Sequence, residues 1–268
     1  MAELREEIVQ LGPWHYEIEV TPDLSTRAWV ETVGGKSDVG FLTRRKPFKK
    51  LLEPLYPNGL EGRSVIDCGC NAGAYLFWAK EIGAGSCFGF DAREHWIEQA
   101  RFLAENRTVG PTDDMRFEVC DLYGLPAMQL EPFDITIFNG LFYHLPDPVT
   151  GVKIAADLTK ELMIFTSSTY AGTDDGFLYV ENESDSHLMS GIYGLNWRPT
   201  GPAVVEKILR WVGFTETRVL WYRPNAERPN DDHGWVGMAA SKTPGLLDNV
   251  EVGWPPGSGR LVYPDQAT

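Results

Sequence analysis

The chain has 268 residues, of which 43% are hydrophobic and 23% charged. That composition is typical of a folded globular protein and excludes wholesale disorder. With 24 Lys and Arg against 38 Asp and Glu, the formal net charge is −14, which disfavours nucleic acid as a partner without excluding it.

Targeting signals and metal motifs are absent from the sequence pattern. No stretch approaches about 18 consecutive apolar residues, so no membrane span is expected. The N-terminus lacks a hydrophobic signal core, and we expect a cytoplasmic protein. The four cysteines are too few for a disulfide scaffold, and the spacing of Cys68 and Cys70 is too tight for zinc. We therefore predict no metal site and interpret the thiols as small buried side chains.

Alternating apolar runs and amphipathic segments predict seven strands, with helices between the early ones. Strands separated by helices form a mostly parallel sheet covered on both faces. The final two strands have no helix between them and are predicted to pair antiparallel at one edge. The fold class is therefore α/β. The predicted strands are 64–69, 86–91, 115–121, 134–140, 162–166, 217–222 and 235–240, and the predicted helices are 73–82, 93–106, 148–158 and 202–212.

The same pattern divides the chain into a core and its surroundings. Residues 1–60 precede the first core strand and are predicted to form an N-terminal cap. Residues 61–245 form the main domain, and residues 246–268 form a C-terminal tail. An insert at residues 170–200 interrupts the α/β order and is rich in Tyr, Asp, Glu and Ser. Inserts at that place in an α/β fold usually shape a ligand pocket.

The most informative segment leads from the first strand into the first core helix. Asp67 precedes a tight turn that contains Gly69, Asn71 and Gly73. Glycines let a ligand approach the backbone closely, and the helix N-terminus offers free N–H groups. Dinucleotides and S-adenosylmethionine both bind to such turns. An acid two residues before the first glycine favours S-adenosylmethionine, although Asn71 replaces a glycine of that pattern and this turn alone leaves both ligand classes open.

Acidic residues also follow the next two predicted strands. Asp91 ends the second strand and is followed by Ala92; an acid there can accept hydrogen bonds from both ribose hydroxyls. Asp121 ends the third strand, and Leu122 comes next. These two residues are predicted to contact the adenine amino group and to cover the adenine ring.

The segment from Ile137 to Pro148 carries the resemblance to a known family. It resembles the motif after the fourth strand in class I S-adenosylmethionine-dependent methyltransferases, with an Asn, a hydrophobic residue and a His at the family's spacing. The likeness covers residues 60–245. It implies a Rossmann-like sheet, S-adenosylmethionine as cofactor and S-adenosylhomocysteine as product. It also implies site residues: Asp67, Gly69 and Gly73 around the methionine and ribose, Asp91 at the ribose, Asp121 at the adenine, and Asn139 facing the methionine amino group.

A closer likeness is to one branch of that family. Phe142-Tyr143-His144, the following Pro-Asp-Pro and the polar insert resemble the branch of tRNA wobble-uridine carboxymethyl-transferring enzymes and their small-molecule relatives. Within this segment, His144 is the preferred catalytic residue, because a neutral imidazole can take a hydroxyl proton. Tyr143 is a candidate pocket residue, and His187 in the insert is a candidate base or substrate contact.

The stretch 44–50 holds five cations in seven positions. It can hold a phosphate or carboxylate of a substrate, or it can be a solvated helix face. From all these features we predict a methyltransferase that modifies a hydroxyl oxygen of a small molecule, natural-product or sugar-like. The alternatives are a tRNA wobble-uridine-modifying transferase, an NAD-dependent oxidoreductase, and a nucleotide-binding module without catalysis. The sequence leaves the acceptor atom and the oligomeric state open.

Overall fold

A computed structural model of the chain describes residues 1–34, 41–170, 176–184, 186–223 and 233–250. The chain forms two compact units, one of Met1–Asp121 with His187–Met189 and the other of Leu122–Ser186 with Ser190–Thr268. The strands form a seven-stranded, mostly parallel sheet and two short two-stranded sheets. The predicted α/β class with a mostly parallel sheet is confirmed.

The first unit begins with small elements that precede the sheet. In order they are α1 (Ala2–Gln10), β1 (Glu19–Thr21), β2 (Leu24–Ser25), α2 (Arg27–Val33) and α3 (Arg45–Leu52). Strands β1 and β2 pair antiparallel as a separate short sheet. Helix α3 buries Phe48, Leu51 and Leu52, whereas its basic residues are partly or fully exposed. The described parts of the segment predicted as a cap, residues 1–34 and 41–60, thus contain regular elements. The domain boundary at residue 60 stays a prediction.

The core of the first unit alternates strands and helices: β3 (Ser64–Cys68), α4 (Ala74–Glu81), β4 (Ser86–Asp91), α5 (Glu94–Asn106) and β5 (Met115–Val119). Strand β4 pairs in parallel with β3 on one side and with β5 on the other. Four of the five residues of β3 are buried, as expected for a parallel strand covered on both faces. Parallel pairing places the carboxyl ends of these strands at one edge.

The second unit contains the remaining strands of the sheet. Its elements are a 3₁₀ helix (Leu122–Met128), β6 (Phe133–Asn139), a second 3₁₀ helix (Phe142–His144), α6 (Pro148–Asp157), β7 (Thr159–Tyr170), β8 (Leu178–Asn182), β9 (Leu195–Pro199), α7 (Pro202–Trp211), β10 (Glu216–Arg223) and β11 (His233–Ser241). Strand β6 pairs in parallel with β7. Strand β11 lies antiparallel between β7 and β10, which confirms the predicted antiparallel final pair.

Two features of the second unit differ from the sequence pattern. Strand β7 runs to Tyr170 instead of ending at residue 166, because β11 continues to pair with it along its whole second half. The insert folds into an antiparallel hairpin, β8–β9, in which Tyr179 lies opposite Arg198. The buried Arg198 pairs with Glu181 at 2.6 Å and lies over the stacked rings of Tyr170 and Tyr179. Most of the predicted tail, residues 251–268, lies outside the described residues.

Candidate active site

The turn after β3 has the backbone that the sequence predicts. Gly69, Asn71 and Gly73 have φ angles of 69°, 51° and 77°, in the left-handed region. Asn71 tolerates this conformation better than most residues, and its side-chain oxygen accepts the amide N–H of Ala72 at 2.7 Å. A Cβ on Gly73 would lie 2.7 Å from the ring of Phe117. The turn therefore forms despite Asn71 replacing the usual glycine, and it requires glycine at position 73.

Asp91 fixes this turn against the end of β4. Its Oδ2 accepts the amide N–H of Asn71 at 3.0 Å, and its Oδ1 accepts that of Arg93 at 3.0 Å. Burial raises the pKa of Asp91, and the hydrogen bonds from the backbone N–H groups of Arg93 and Asn71 oppose this rise. The residue remains partly exposed and Ala92 is exposed, so the carboxylate can also accept hydrogen bonds from a ligand.

Asp67 is the most unusual side chain of the first unit. It is 2% exposed, and its Oδ2 has no hydrogen-bond partner within the described part of the chain. Burial, and to a lesser extent the charge of Asp91, raises the pKa of Asp67 well above its ordinary value. A buried carboxylate oxygen without a partner carries a large desolvation penalty. A proton, or a ligand group that donates a hydrogen bond or carries positive charge, can offset this penalty.

The third predicted acid follows β5. The amide of Cys120 donates to the carbonyl oxygen of Asp91 at 3.0 Å, which brings the start of this loop to the end of β4. Asp121 follows directly and is partly exposed. Within the first unit, the structure thus gathers the turn after β3, Asp91 and the segment before Asp121 at the carboxyl edge of the strands. Leu122 is buried in the second unit.

The sequence analysis did not predict the cluster of aromatic rings around Tyr16, near Asp67. Tyr16 makes edge contacts with Tyr75 and Trp78, at ring-centroid distances of 5.6 Å and 6.1 Å. Burial, the neighbouring Tyr75 and the charge of Asp67 raise the pKa of Tyr16, whereas the positive charge of Arg44 opposes the rise. Tyr16 is thus within electrostatic range of Asp67, and Arg44 is within range of Tyr16. Only Arg44 had a sequence signal, as part of the basic stretch.

The basic stretch 44–50 is partly structural. Arg45 contacts Glu81 at 2.8 Å and Glu19 at 2.6 Å, and Lys49 contacts Glu81 at 2.7 Å. The buried Arg107 also pairs with Glu81. These ion pairs attach α3 to the end of α4. The stretch is therefore more than a solvated helix face, and only Arg44, Lys46 and Lys50 are exposed without an ion pair to another described residue.

The second unit holds the residues of the motif after β6. Asn139 ends this strand, and its Oδ1 is buried without a hydrogen-bond partner among the residues that the structure describes. Gly140 follows with φ at 70°. The Tyr143 ring meets Trp235 edge-on, at 5.8 Å between centroids. Burial, together with the charge of Glu183, raises the pKa of Tyr143, so the phenol stays protonated at neutral pH. This edge therefore offers an unpaired amide oxygen and a phenolic donor.

His144 is held by a residue that sequence reasoning did not single out. Its Nδ1 lies 2.8 Å from Oε1 and 2.9 Å from Oε2 of Glu183, and the amide nitrogen of Gly191 lies 3.1 Å from the same Nδ1. The side chains of His144 and Glu183 are only 14% and 11% exposed. Glu183 follows β8 in the hairpin, 39 residues from His144, so no local pattern indicated the pair.

His187 belongs to the first unit and has a different environment. Its carbonyl oxygen lies 3.4 Å from Nη2 of Arg93, and its Nδ1 accepts the amide N–H of Met189 at 3.1 Å. An imidazole that accepts at Nδ1 carries its proton on Nε2 when neutral. His187 therefore presents a donor, which suits a substrate contact better than a base.

Within the described ranges, no cluster of three or more His, Cys, Asp or Glu could hold a metal ion. Cys68 and Cys70 are buried thiols whose pKa values burial raises well above the ordinary range. Across the same ranges, no helix combines the length and apolar character that a bilayer span needs.

Comparisons with known proteins agree on one family. A profile described as a methyltransferase domain matches residues 60–201. The chain is 32% identical over 190 residues to a tRNA U34 carboxymethyltransferase of Campylobacter hominis, covering 69% of this chain and 61% of that protein. It is 30% identical over 204 residues to a ubiquinone biosynthesis O-methyltransferase of Neisseria meningitidis, covering 73% and 76%. The chain spans about 60% of the length of the tRNA-modifying relatives it matches.

Two solved structures share the fold. The N-terminal domain of EvdMO1 with S-adenosylhomocysteine bound has a TM-score of 0.69 at 18% identity, covering 90% of this chain and 96% of that chain. The same domain in the presence of S-adenosylhomocysteine and D-fucose has a TM-score of 0.67 at 17% identity, with the same coverage. At this identity, the likeness concerns the fold.

Proposed function

The chain belongs to the methyltransferase domain family, and we propose that it methylates a hydroxyl oxygen of a small molecule with S-adenosylmethionine as the donor. Family membership confirms the resemblance of the sequence motifs. S-adenosylmethionine, when bound, supplies an electrophilic methyl group on a positively charged sulfur. The observation that carries the proposal is the buried, unpartnered Asp67 oxygen beside Asp91 at the turn after β3.

The charge of this turn favours that cofactor over a dinucleotide. Asp67 and Asp91 each have a raised pKa, because the loss of surrounding water disfavours the charged form of both carboxyls. A pyrophosphate is negatively charged and would add repulsion at short range. A ligand with a sulfonium and an ammonium group instead offers the positive charge that two neighbouring carboxylates require. The residues present therefore fit S-adenosylmethionine.

The chain's own groups can be assigned to parts of the cofactor. Asp91 accepts the ribose hydroxyls, because both of its oxygens are held in place by backbone N–H groups and the residue remains partly exposed. The positive charge of Arg44, which acts on Tyr16, suits the methionine carboxylate. Contacts of Asp121 and Leu122 with the adenine, and of Asn139 with the methionine amino group, stay predictions from the family resemblance.

The acceptor side of the proposal rests on the second unit. His144 accepts the proton of the acceptor hydroxyl, and Tyr143 donates a hydrogen bond to the acceptor. Holding the acceptor in line contributes about 7–11 kcal/mol to lowering the barrier. A general base contributes about 10²–10⁴-fold in rate. Positioning therefore outweighs the base, and the shape of the insert hairpin matters at least as much as His144.

A small acceptor suits the surface better than RNA does. The chain carries a net charge of −14. Two cations of the basic stretch, Arg45 and Lys49, are engaged by Glu81, which leaves few for phosphates. A sugar-like acceptor is further supported by the fold shared with the EvdMO1 domain, whose structure was determined in the presence of D-fucose. The cytoplasmic location stays a prediction from the sequence.

A methyl-transfer assay tests the proposal. The full chain is incubated with S-adenosylmethionine labelled in the methyl group and with a panel of sugar and phenolic acceptors, D-fucose among them. We expect a labelled product whose methyl group is bound to oxygen, and S-adenosylhomocysteine in equal amount. Methyl transfer to nitrogen or carbon alone would refute the hydroxyl assignment.

The relatives that modify tRNA favour a second candidate, transfer of a carboxymethyl group to a tRNA uridine. That function requires exposed cations to contact phosphates, so RNA affinity should fall steeply with salt. A binding titration with unmodified tRNA at 50 and 200 mM salt separates the two proposals. Tight, salt-dependent binding that Lys46→Glu with Lys50→Glu abolishes would favour the RNA substrate; weak binding that these changes leave unaltered favours the small molecule.

A further inference from the structure

Two groups of opposite hydrogen-bonding character contact the same ring nitrogen of His144. The carboxylate of Glu183 lies 2.8 Å and 2.9 Å from Nδ1 and can only accept a hydrogen bond. The amide of Gly191 lies 3.1 Å from Nδ1 and can only donate. A protonated Nδ1 satisfies Glu183, and an unprotonated Nδ1 satisfies Gly191. The two contacts therefore compete for the tautomer of the neutral imidazole.

The carboxylate is the stronger competitor. A hydrogen bond to an ionised group is about twice as strong as one between neutral groups. His144 and Glu183 are 14% and 11% exposed, so water screens their interaction little. We propose that Glu183 is a positioning residue that fixes His144 as the Nδ1–H tautomer, which leaves the Nε2 lone pair to accept the acceptor's hydroxyl proton. The catalytic meaning of this tautomer rests on the proposed function.

The hairpin is built to bring these groups together. A Cβ on Gly191 would lie 2.8 Å from Oε2 of Glu183, 2.8 Å from Cβ of His144 and 2.9 Å from the His144 carbonyl oxygen, so glycine permits the close approach. The amide of Glu183 donates to the carbonyl of Gly194 at 3.0 Å, which anchors the residue at the end of β8.

Other titratable groups near the pair do not take over its role. Tyr143 adjoins His144, and its raised pKa keeps the phenol protonated. Glu181, two residues before Glu183, pairs with the buried Arg198 at 2.6 Å. Glu183 is therefore the carboxylate that contacts the His144 ring.

His187 provides an internal reference. Its Nδ1 accepts the amide N–H of Met189 at 3.1 Å and has no carboxylate opposing it among the described residues, so it should be the Nε2–H tautomer. His144 and His187 are thus expected to have opposite tautomers, and a spectrum that shows both histidines contains its own reference.

Nitrogen NMR tests the inference without any acceptor. The full chain, labelled with ¹⁵N at histidine, is recorded by two-bond ¹H–¹⁵N correlation at pH 8, with resonances assigned from His144→Gln and His187→Gln. We expect His144 as Nδ1–H and His187 as Nε2–H. In Glu183→Ala, the carboxylate is lost and only the Gly191 amide is left to contact Nδ1. His144 should then change to the Nε2–H tautomer. An Nε2–H tautomer in the wild type, or an unchanged tautomer in Glu183→Ala, overturns the inference.

Controls separate this test from folding and from cofactor binding. Asn182→Ala changes an exposed neighbour on β8 and should leave both tautomers unchanged. If Glu183→Ala does not fold, Glu183→Gln keeps the shape and removes the charge, and the Nδ1–H fraction should fall; an unchanged fraction again overturns the inference. The affinity for S-adenosylhomocysteine, measured on the same samples, tests the proposed function separately, because the tautomer does not depend on a bound cofactor.

Discussion

Replacing Asp91 is the sharpest mutational test of the cofactor site. In the structure, its two oxygens accept the amide N–H groups of Asn71 and Arg93 at 3.0 Å each, so the carboxylate is oriented before any ligand binds. The ribose hydroxyls would add hydrogen bonds to this charged group. Losing one such bond costs about 1.5–3 kcal/mol, because its acceptor is charged, and losing both costs more. Asp91→Ala should therefore weaken S-adenosylhomocysteine binding by about 10-fold or more.

The assay must distinguish a lost ligand contact from a damaged turn. Isothermal titration of the wild type and of Asp91→Ala, each with S-adenosylhomocysteine and with its 2′-deoxy analogue, gives the four affinities of a thermodynamic cycle. The wild type should prefer the natural ligand, and Asp91→Ala should bind the two ligands more equally. Asp23→Ala, which removes the same charge from an exposed position of the first unit, should change neither affinity. Unchanged affinity of Asp91→Ala for S-adenosylhomocysteine would refute the ribose assignment.

The remaining predictions concern stability and the turn. The pKa of Asp67 is raised in the folded state, so its contribution to stability is present below the unfolded pKa, near 4, and is lost as pH rises through the folded value. Asp67→Asn should therefore raise the melting temperature at pH 7, by about 2–4 °C for each gain of about 1 kcal/mol in the free energy of unfolding. The same change should weaken S-adenosylhomocysteine binding. A lower melting temperature would contradict this reasoning. Gly73→Ala should destabilise the fold by about 2 kcal/mol or more in urea unfolding, because φ is 77° and the new Cβ meets a ring at 2.7 Å. Gly34→Ala, with φ at 73° and open space around it, should show only the backbone strain, about 1 kcal/mol, and an equal loss in both variants would refute the steric argument.

The turn after β3 could be predicted from the sequence because the residues that determine it are close together in the chain. A buried strand, an acid and glycines within ten residues specify the strand, the left-handed turn and the start of α4. Asp91 was predictable for the same reason, since it ends an apolar strand. Periodicity likewise predicted the succession of core strands and helices along the chain. The absence of a helix between the last two strands indicated that they pair antiparallel.

Contacts between distant residues were beyond the sequence pattern. Glu183 reaches His144 across 39 positions through the hairpin β8–β9, which has no strong alternation of apolar and polar residues. Tyr16 approaches Asp67 from a segment that precedes the core. The basic stretch suggested a binding surface, whereas Glu81 draws two of its cations into ion pairs, a pairing that requires the fold to bring α3 against α4.

The central claim is that the turn after β3 and its two carboxylates bind a cationic nucleoside. Isothermal titration of the folded wild-type chain with S-adenosylmethionine, S-adenosylhomocysteine and NADH tests it most directly. We expect saturable binding of both sulfur ligands at one site per chain, and much weaker binding of NADH. Tighter binding of NADH, or no heat with either sulfur ligand, would contradict it.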